Sequence, residues 1–117
     1  MNRMRVSVGE AGVDLVVALN DSATAAELWE ALPIESPAQV WGEEVYFTVP
    51  ISRGPEDPKA RVELGAVGYW PPGSAVCLFF GQQPVSPVNI VGSVEGDPSV
   101  LTDVREGLAV RLQQVAS

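Results

Sequence analysis

Few side chains in this sequence have the capacity for chemistry. The acid–base candidates are two neighbouring carboxylates, Glu43 and Glu44, and a second pair, Glu56 and Asp57; Cys77 is the single thiol, and histidine is absent. Without histidine, neither a Ser-His-Asp nor a Cys-His nucleophile can be assembled, and one cysteine falls short of a zinc ligand set. Cys77 lies inside the apolar run Ala75–Phe80, with no basic residue close in sequence to lower its pKa, and reads as an inert core thiol. Adjacent strand residues point to opposite faces, so Glu43 and Glu44 form no dyad unless a bulge intervenes, and one of them faces a pocket. Glu56 and Asp57 sit in a loop rich in proline, where carboxylates are ordinarily solvated; it is the candidate loop for calcium or magnesium. Gly65-Ala66-Val67-Gly68 lacks the lysine and the following helix of a phosphate-cradling loop.

Binding chemistry is what remains. Trp41, Tyr46, Tyr69, Trp70 and Phe80 supply an aromatic lining, with Glu44 and Gln82 as polar anchors. Small-ligand pockets are usually built this way, mostly apolar with a few placed polar groups. Phe79 and Trp29 read as packing core. No catalytic residue, metal site or cofactor is expected.

The chain has 117 residues and reads as one domain over 1–117, long enough to bury a core without staples. A net charge of −8 repels phosphate backbones and anionic headgroups, which disfavours nucleic acid and membranes as partners. The acidity keeps the domain soluble; the alternative reading is a cationic ligand. Ala75–Phe80 is the longest apolar run, far short of the roughly 18–20 residues of a membrane span. The basic N-terminus Met1–Arg5 lacks the apolar stretch of a secretion signal, so a cytoplasmic location is expected. Asn20-Asp21-Ser22 then reads as a cap and turn rather than a glycosylation acceptor.

These side chains must be positioned by short elements. Residues 5–8 and 13–19 form a hairpin around Gly9–Gly12. Ala25, Leu28, Trp29 and Leu32 share one helical face, with Ser22 and Thr24 as rival caps and Pro33 as the stop. A strand spans Gln39–Val49 with a bend or bulge at Gly42, and Pro50–Lys59 is a loop. An extended stretch over Arg61–Trp70 leads through the Pro71-Pro72-Gly73 turn to a buried strand over Val76–Phe80. A loop over Gln82–Pro87 leads to a strand over Asn89–Glu95. Asp97-Pro98 opens a second helix, with Val100, Leu101 and Val104 on its apolar face and Gly107 as its C-terminal cap. Residues 108–113 alternate as a last half-buried strand. The absence of a βαβ rhythm disfavours a parallel sheet. The fold class is mainly β, a closed barrel of about eight strands with two short helices.

Three segments carry a family likeness. Thr24–Leu32, ending Ala-Leu, is similar to the first helix of cyclophilins. Cys77-Leu78-Phe79-Phe80 stands where cyclophilins carry Ser-Gln-Phe-Phe, and Val91–Gly96 resembles the strand before their second helix. Trp41–Phe47 together with Tyr69–Gly81 resembles the small prokaryotic cyclophilin-like proteins of unknown function, and the likeness covers roughly residues 3–115. It implies a cyclophilin-like β-barrel with a pocket on one side and no set substrate.

Cyclophilins rotate an X-Pro bond, against a barrier of about 18–20 kcal/mol, with an arginine from a Phe-His-Arg motif. The corresponding segment here, Ala38–Tyr46, contains no arginine, and none lies between Arg5 and Arg53. Only Phe80 matches a pocket residue of that family directly. The leading expectation is a non-catalytic binding module for a small molecule or short peptide. The alternatives are a weak or altered prolyl isomerase using Arg53, and a protein–protein interaction subunit acting as monomer or homodimer.

Overall fold

Apolar and polar residues alternate along the first two strands, and alternation on a pleated backbone gives one buried face. In β1 (Arg3–Val8) Met4, Val6 and Val8 are buried; in β2 (Val13–Leu19) Val13, Leu15, Val17 and Leu19 are. The two pair antiparallel with Val8 opposite Val13, around a short 3-10 turn at Gly9–Ala11. This is a computed structural model, and it describes residues 2–115.

The remaining strands are β3 (Ile34–Pro37), β4 (Gln39–Trp41), β5 (Glu44–Thr48), β6 (Ala66–Trp70), β7 (Ala75–Phe79), β8 (Asn89–Glu95) and β9 (Ala109–Gln114). Nine strands form one sheet in the order β3-β9-β1-β2-β8-β6-β7-β5-β4, each pair antiparallel. Ala38 alone separates the two edge strands in sequence, so they must lie side by side. The sheet therefore curls into a nearly closed barrel, one strand more than the sequence suggests.

Helix α1 (Ala23–Ala31) packs Ala25 and Leu28 into the barrel core. Of the two candidate caps it is Ser22 that acts, its Oγ accepting from Ala25 N at 3.1 Å. The helix ends before Pro33, which can neither donate nor accommodate the preceding turn. Near the C-terminus, Asp97 accepts from Ser99 N at 2.9 Å and opens a helix as expected, but a 3-10 one, Pro98–Asp103. Its tighter winding buries Leu101 and leaves Val100 exposed.

Two other expectations are corrected. Gln39–Val49 is a tight hairpin, β4 and β5, because Gly42 adopts a φ of +56° and reverses the chain at Gly42–Glu43. Only Ala66–Trp70 of the stretch 61–70 is a strand, because Gly65 at φ +86° turns the chain just before it.

A buried polar network fixes the loop 50–59 over the start of α1. Glu56 accepts from Ala23 N (2.9 Å), Thr24 N (2.8 Å) and Thr24 Oγ1 (2.6 Å). These include helix N–H groups that have no partner inside the helix. The Thr24 hydroxyl first, and then the two amides, hold the Glu56 carboxyl below its ordinary range. Glu56 is thus a helix cap rather than a free loop acid, while Asp57 is exposed. Asn89, buried, accepts from Glu56 N (2.8 Å) and donates to Thr24 Oγ1 (3.2 Å) and Gly54 O (3.1 Å). The Tyr69 hydroxyl donates to Ile51 O (3.0 Å) and accepts from Arg53 N (3.2 Å). Truncating Asn89 leaves several buried groups without partners. Asn89→Ala is expected to lose on the order of 2–3 kcal/mol of stability in urea unfolding, with an unchanged m-value.

Candidate functional site

Strand β7 is apolar at every position, so the pleat gives it two apolar faces. Val76 and Leu78, with Phe80 just beyond, join Val45, Phe47, Val67 and Tyr69 inside the barrel. Cys77 and Phe79 point outward and pack with Ala66 and Val88, flanked by Tyr46, Trp70 and Ile90. The second cluster lies on the outer surface of the barrel, under the loop 81–88.

Register decides which residues meet there. Trp41 on β4 pairs with Glu44 on β5, and Glu44 with Phe79 on β7. The next row outward-facing along the strands is Gln39, Tyr46, Cys77 and Gly68; Thr48, Ala75 and Trp70 follow. Cross-strand partners stand about 4.5–5.5 Å apart, so each row forms a continuous strip of side chains. The small side chain of Cys77 leaves a hollow between the larger ones, while Val88 fills the space over Gly68. A Cβ at Gly68 would come within 2.7 Å of Val88 Cγ2 and force the outer layer to shift. The result is a cavity of about 340 Å³, walled by Trp41, Tyr46, Trp70 and Phe79, with Glu44 and Cys77 in its lining.

The loop 81–88 closes one side with Pro84, Val85 and Ser86. Three sets of side-chain hydrogen bonds hold it, besides the backbone pair between Val88 and Lys59. Trp70 Nε1 donates to Ser86 Oγ. The Gln83 amide donates to Val62 O (3.0 Å) and accepts from Val62 N (2.8 Å). Gln82 Oε1 accepts from Glu43 N (2.9 Å), pinning the β4–β5 turn to the loop. Trp41 and Val85 remain exposed at the mouth, at 57% and 76% of their surface.

Of the residues the sequence singles out, Trp41, Glu44, Tyr46 and Trp70 line this cavity together. Tyr69 and Phe80 do not: both turn into the barrel core, one position out of phase with Trp70 and Phe79. Gln82 stands at the rim as an anchor of the turn. Phe79, read as packing core, is a wall of the cavity, and the lining contribution of the loop was not foreseen. A sequence signal existed: Ala75 and Cys77 are smaller than Val76 and Leu78, so the phase containing Phe79 is the one with room beside it. Arg53 is engaged elsewhere, pairing with Glu27 of α1 through Nη1 at 2.9 Å, and is not part of the lining. Among the described residues no three cysteine or carboxylate groups converge as a metal site would require, and no helix is long and apolar enough to cross a membrane.

Electrostatically the cavity is dominated by Glu44. It is buried, 7% exposed, while Glu43 faces solvent in the turn. Desolvation pushes the Glu44 carboxyl above its ordinary value of 4.5, and the Cys77 thiol and Gln82 amide beside it draw it part of the way back. Burial, and then the charge of Glu44, push the Cys77 thiol up, so it stays protonated and unreactive.

The profile described as cyclophilin-like matches residues 2–113. The solution structure of the hypothetical protein AF2241 from Archaeoglobus fulgidus is similar, with a TM-score of 0.81 and 32% identity over 97% of this chain and 95% of that one. The structure of McbB in complex with tryptophan has the same fold, with a TM-score of 0.81 at 16% identity; the match covers 97% of this chain and 45% of that one. This chain thus spans less than half of that protein. No curated protein matches.

A carboxyl whose pKa is raised on folding binds protons more tightly in the folded state. Its ionisation therefore removes stability as pH rises from the unfolded value through the folded one. Glu44→Gln is expected to raise the thermal unfolding midpoint at pH 8, and the gain should vanish below the ordinary carboxyl value of 4.5. Calorimetric melts at pH 4 and pH 8 measure the difference.

Proposed function

This chain belongs to the cyclophilin-like family, and we propose that it is a non-catalytic binding module whose outer-face cavity takes a small molecule or short peptide. The observation that carries this reading is the cavity itself. Four aromatic side chains surround a hollow of about 340 Å³, its mouth left open beside exposed Trp41 and Val85. Such volume and apolar lining suit a small organic ligand. Large apolar side chains left in water at the mouth of a pocket also favour an occupant, which would cover them.

A prolyl isomerase needs a group that hydrogen-bonds around the substrate's proline amide. The sequence candidate was Arg53, and that guanidinium is paired with Glu27 beside α1. No arginine or lysine is in the cavity lining. The remaining polar groups there, the Glu44 acid, the protonated Cys77 thiol and the Tyr46 and Ser86 hydroxyls, place no cationic donor against a proline amide. The binding reading is therefore preferred over the enzymatic one.

Two measurements test it. The indole N–H resonances of Trp41 and Trp70 should shift saturably when free tryptophan or a blocked proline dipeptide is titrated into labelled protein. Trp41→Ala should weaken that binding by roughly fivefold, or about 1 kcal/mol, the scale of one aromatic contact; unmoved indoles with every probe would remove the reading. In a protease-coupled isomerisation assay at micromolar protein, wild type and Arg53→Ala should both run at the background rate. Activity in wild type that disappears in Arg53→Ala would establish a relocated catalytic arginine instead.

A further inference from the structure

The cavity's one strongly polar group is set in an unusual way. Glu44 stands between two aromatic residues across the sheet, Trp41 on one side and Phe79 on the other, with Tyr46 two residues along its own strand on the same face. Trp70 closes the cavity from β6. A carboxylate in such a place ordinarily has a cationic partner, because leaving it without one costs several kcal/mol of solvation. Among the described residues Glu44 has none. Arg3, Arg5, Arg53, Lys59 and Arg111 are engaged with Glu95, Asp14, Glu27, Asp57 and Glu35. The other two basic residues, Arg61 and Arg105, do not line the cavity.

We propose that the cavity recognises an organic monocation, an ammonium or guanidinium carried on an apolar stem, with Glu44 as its counter-ion and the rings of Trp41, Tyr46, Trp70 and Phe79 as its walls. The proposal rests on the reading that this cavity binds a ligand, and it names the ligand's chemistry. A neutral apolar molecule would bury the Glu44 carboxylate further without compensating it. An anion would meet that carboxylate and the field of a chain whose net charge is −8. A cation is drawn by both, and aromatic faces attract it again through their quadrupoles, most strongly where water is excluded. The penalty that burial places on the charged Glu44 carboxylate is offset when the positive charge arrives.

The test compares two molecules of nearly the same shape and different charge, benzylammonium and benzyl alcohol. Each is titrated into the labelled 117-residue chain at pH 8 and constant ionic strength, read at the Trp41 and Trp70 indole resonances. Benzylammonium is expected to bind at least tenfold more tightly. In Glu44→Gln the two affinities should fall within about twofold of each other, through loss of cation binding alone. The wild-type comparison needs no variant, so it decides the matter even if Glu44→Gln fails to fold. Equal affinities in wild type would overturn the cation proposal and leave the binding reading standing. Cation-induced shifts elsewhere on the acidic surface, with alcohol-induced shifts at the indoles, would do the same. Indoles unmoved by both molecules, and by tryptophan and the proline dipeptide, would overturn both readings. The same head group occurs on free amines and on basic side chains. A lysine tripeptide blocked at both ends, run in parallel, separates the two: tighter binding than benzylammonium assigns a peptide, weaker binding a free amine, and either supports the proposal.

Discussion

A strand with neither face in water sets the architecture of this protein. All five residues of β7 are buried, and the pleat sends Val76 and Leu78 into one apolar cluster and Cys77 and Phe79 into another. The inner cluster is the usual barrel core. The outer one requires a cover, because Cys77 and Phe79 would otherwise face solvent along with Ala66 and Val88. The loop 81–88 supplies that cover, and its incomplete fit leaves the cavity. Closing the sheet and forming the site are thus linked through one strand: its inward residues hold the barrel shut, and its outward ones floor and wall the hollow.

Two loops stabilise the barrel by the same means, and they meet where Lys59 and Val88 exchange two backbone hydrogen bonds. Each lies over apolar residues and is tied by side-chain amides to backbone groups that lack sheet or helix partners. Asn89 does this for the loop 50–59, and Gln83 for the loop 81–88. The anchor of the first, Asn89, is buried and bonded to Thr24, and Glu56 and Tyr69 add further bonds to the loop. The anchor of the second, Gln83, is exposed, and Val85 projects into water. β6 and β8 carry Tyr69 and Asn89, two of the residues that hold the first loop, as register partners across the sheet.

Two carboxylates show how position sets chemistry. Glu56, given a hydroxyl and two helix amides, has its charge stabilised and serves as structure. Glu44, given aromatic neighbours and little water, has its charge penalised. Natural folds remove such a penalty by pairing or by substitution, and its retention in an open cavity is the clearest asymmetry of the molecule. Cys77, close to it, gains no reactivity from that neighbour, since a nearby negative charge raises a thiol's pKa further.

Much of this was legible in residue order. Alternation along 3–19 and 108–113 defined hairpin and closing strand, the 3.6 period defined α1, and the cyclophilin-like segments pointed to the barrel. The aromatic residues Trp41, Tyr46 and Trp70 and the acid Glu44 could be named as a group from type alone. Tyr69 and Trp70 were both assigned to the lining, and of Glu43 and Glu44 the sequence stated that one faces each way. It could not state which, and for the phenylalanines the choice it suggested was the inner one. Side-chain direction repeats every two residues, so a shift of one position exchanges core and surface along a whole strand. That phase is set by pairing between β4, β5, β7 and β6, whose partners lie as far apart in the chain as Glu44 and Phe79, and by where the loops cross. The role of Glu56 was hidden for the same reason, its partners on α1 lying 32 and 33 residues away. Local order determined which elements form and what chemistry is on hand; only the long-range register decided which of those side chains meet.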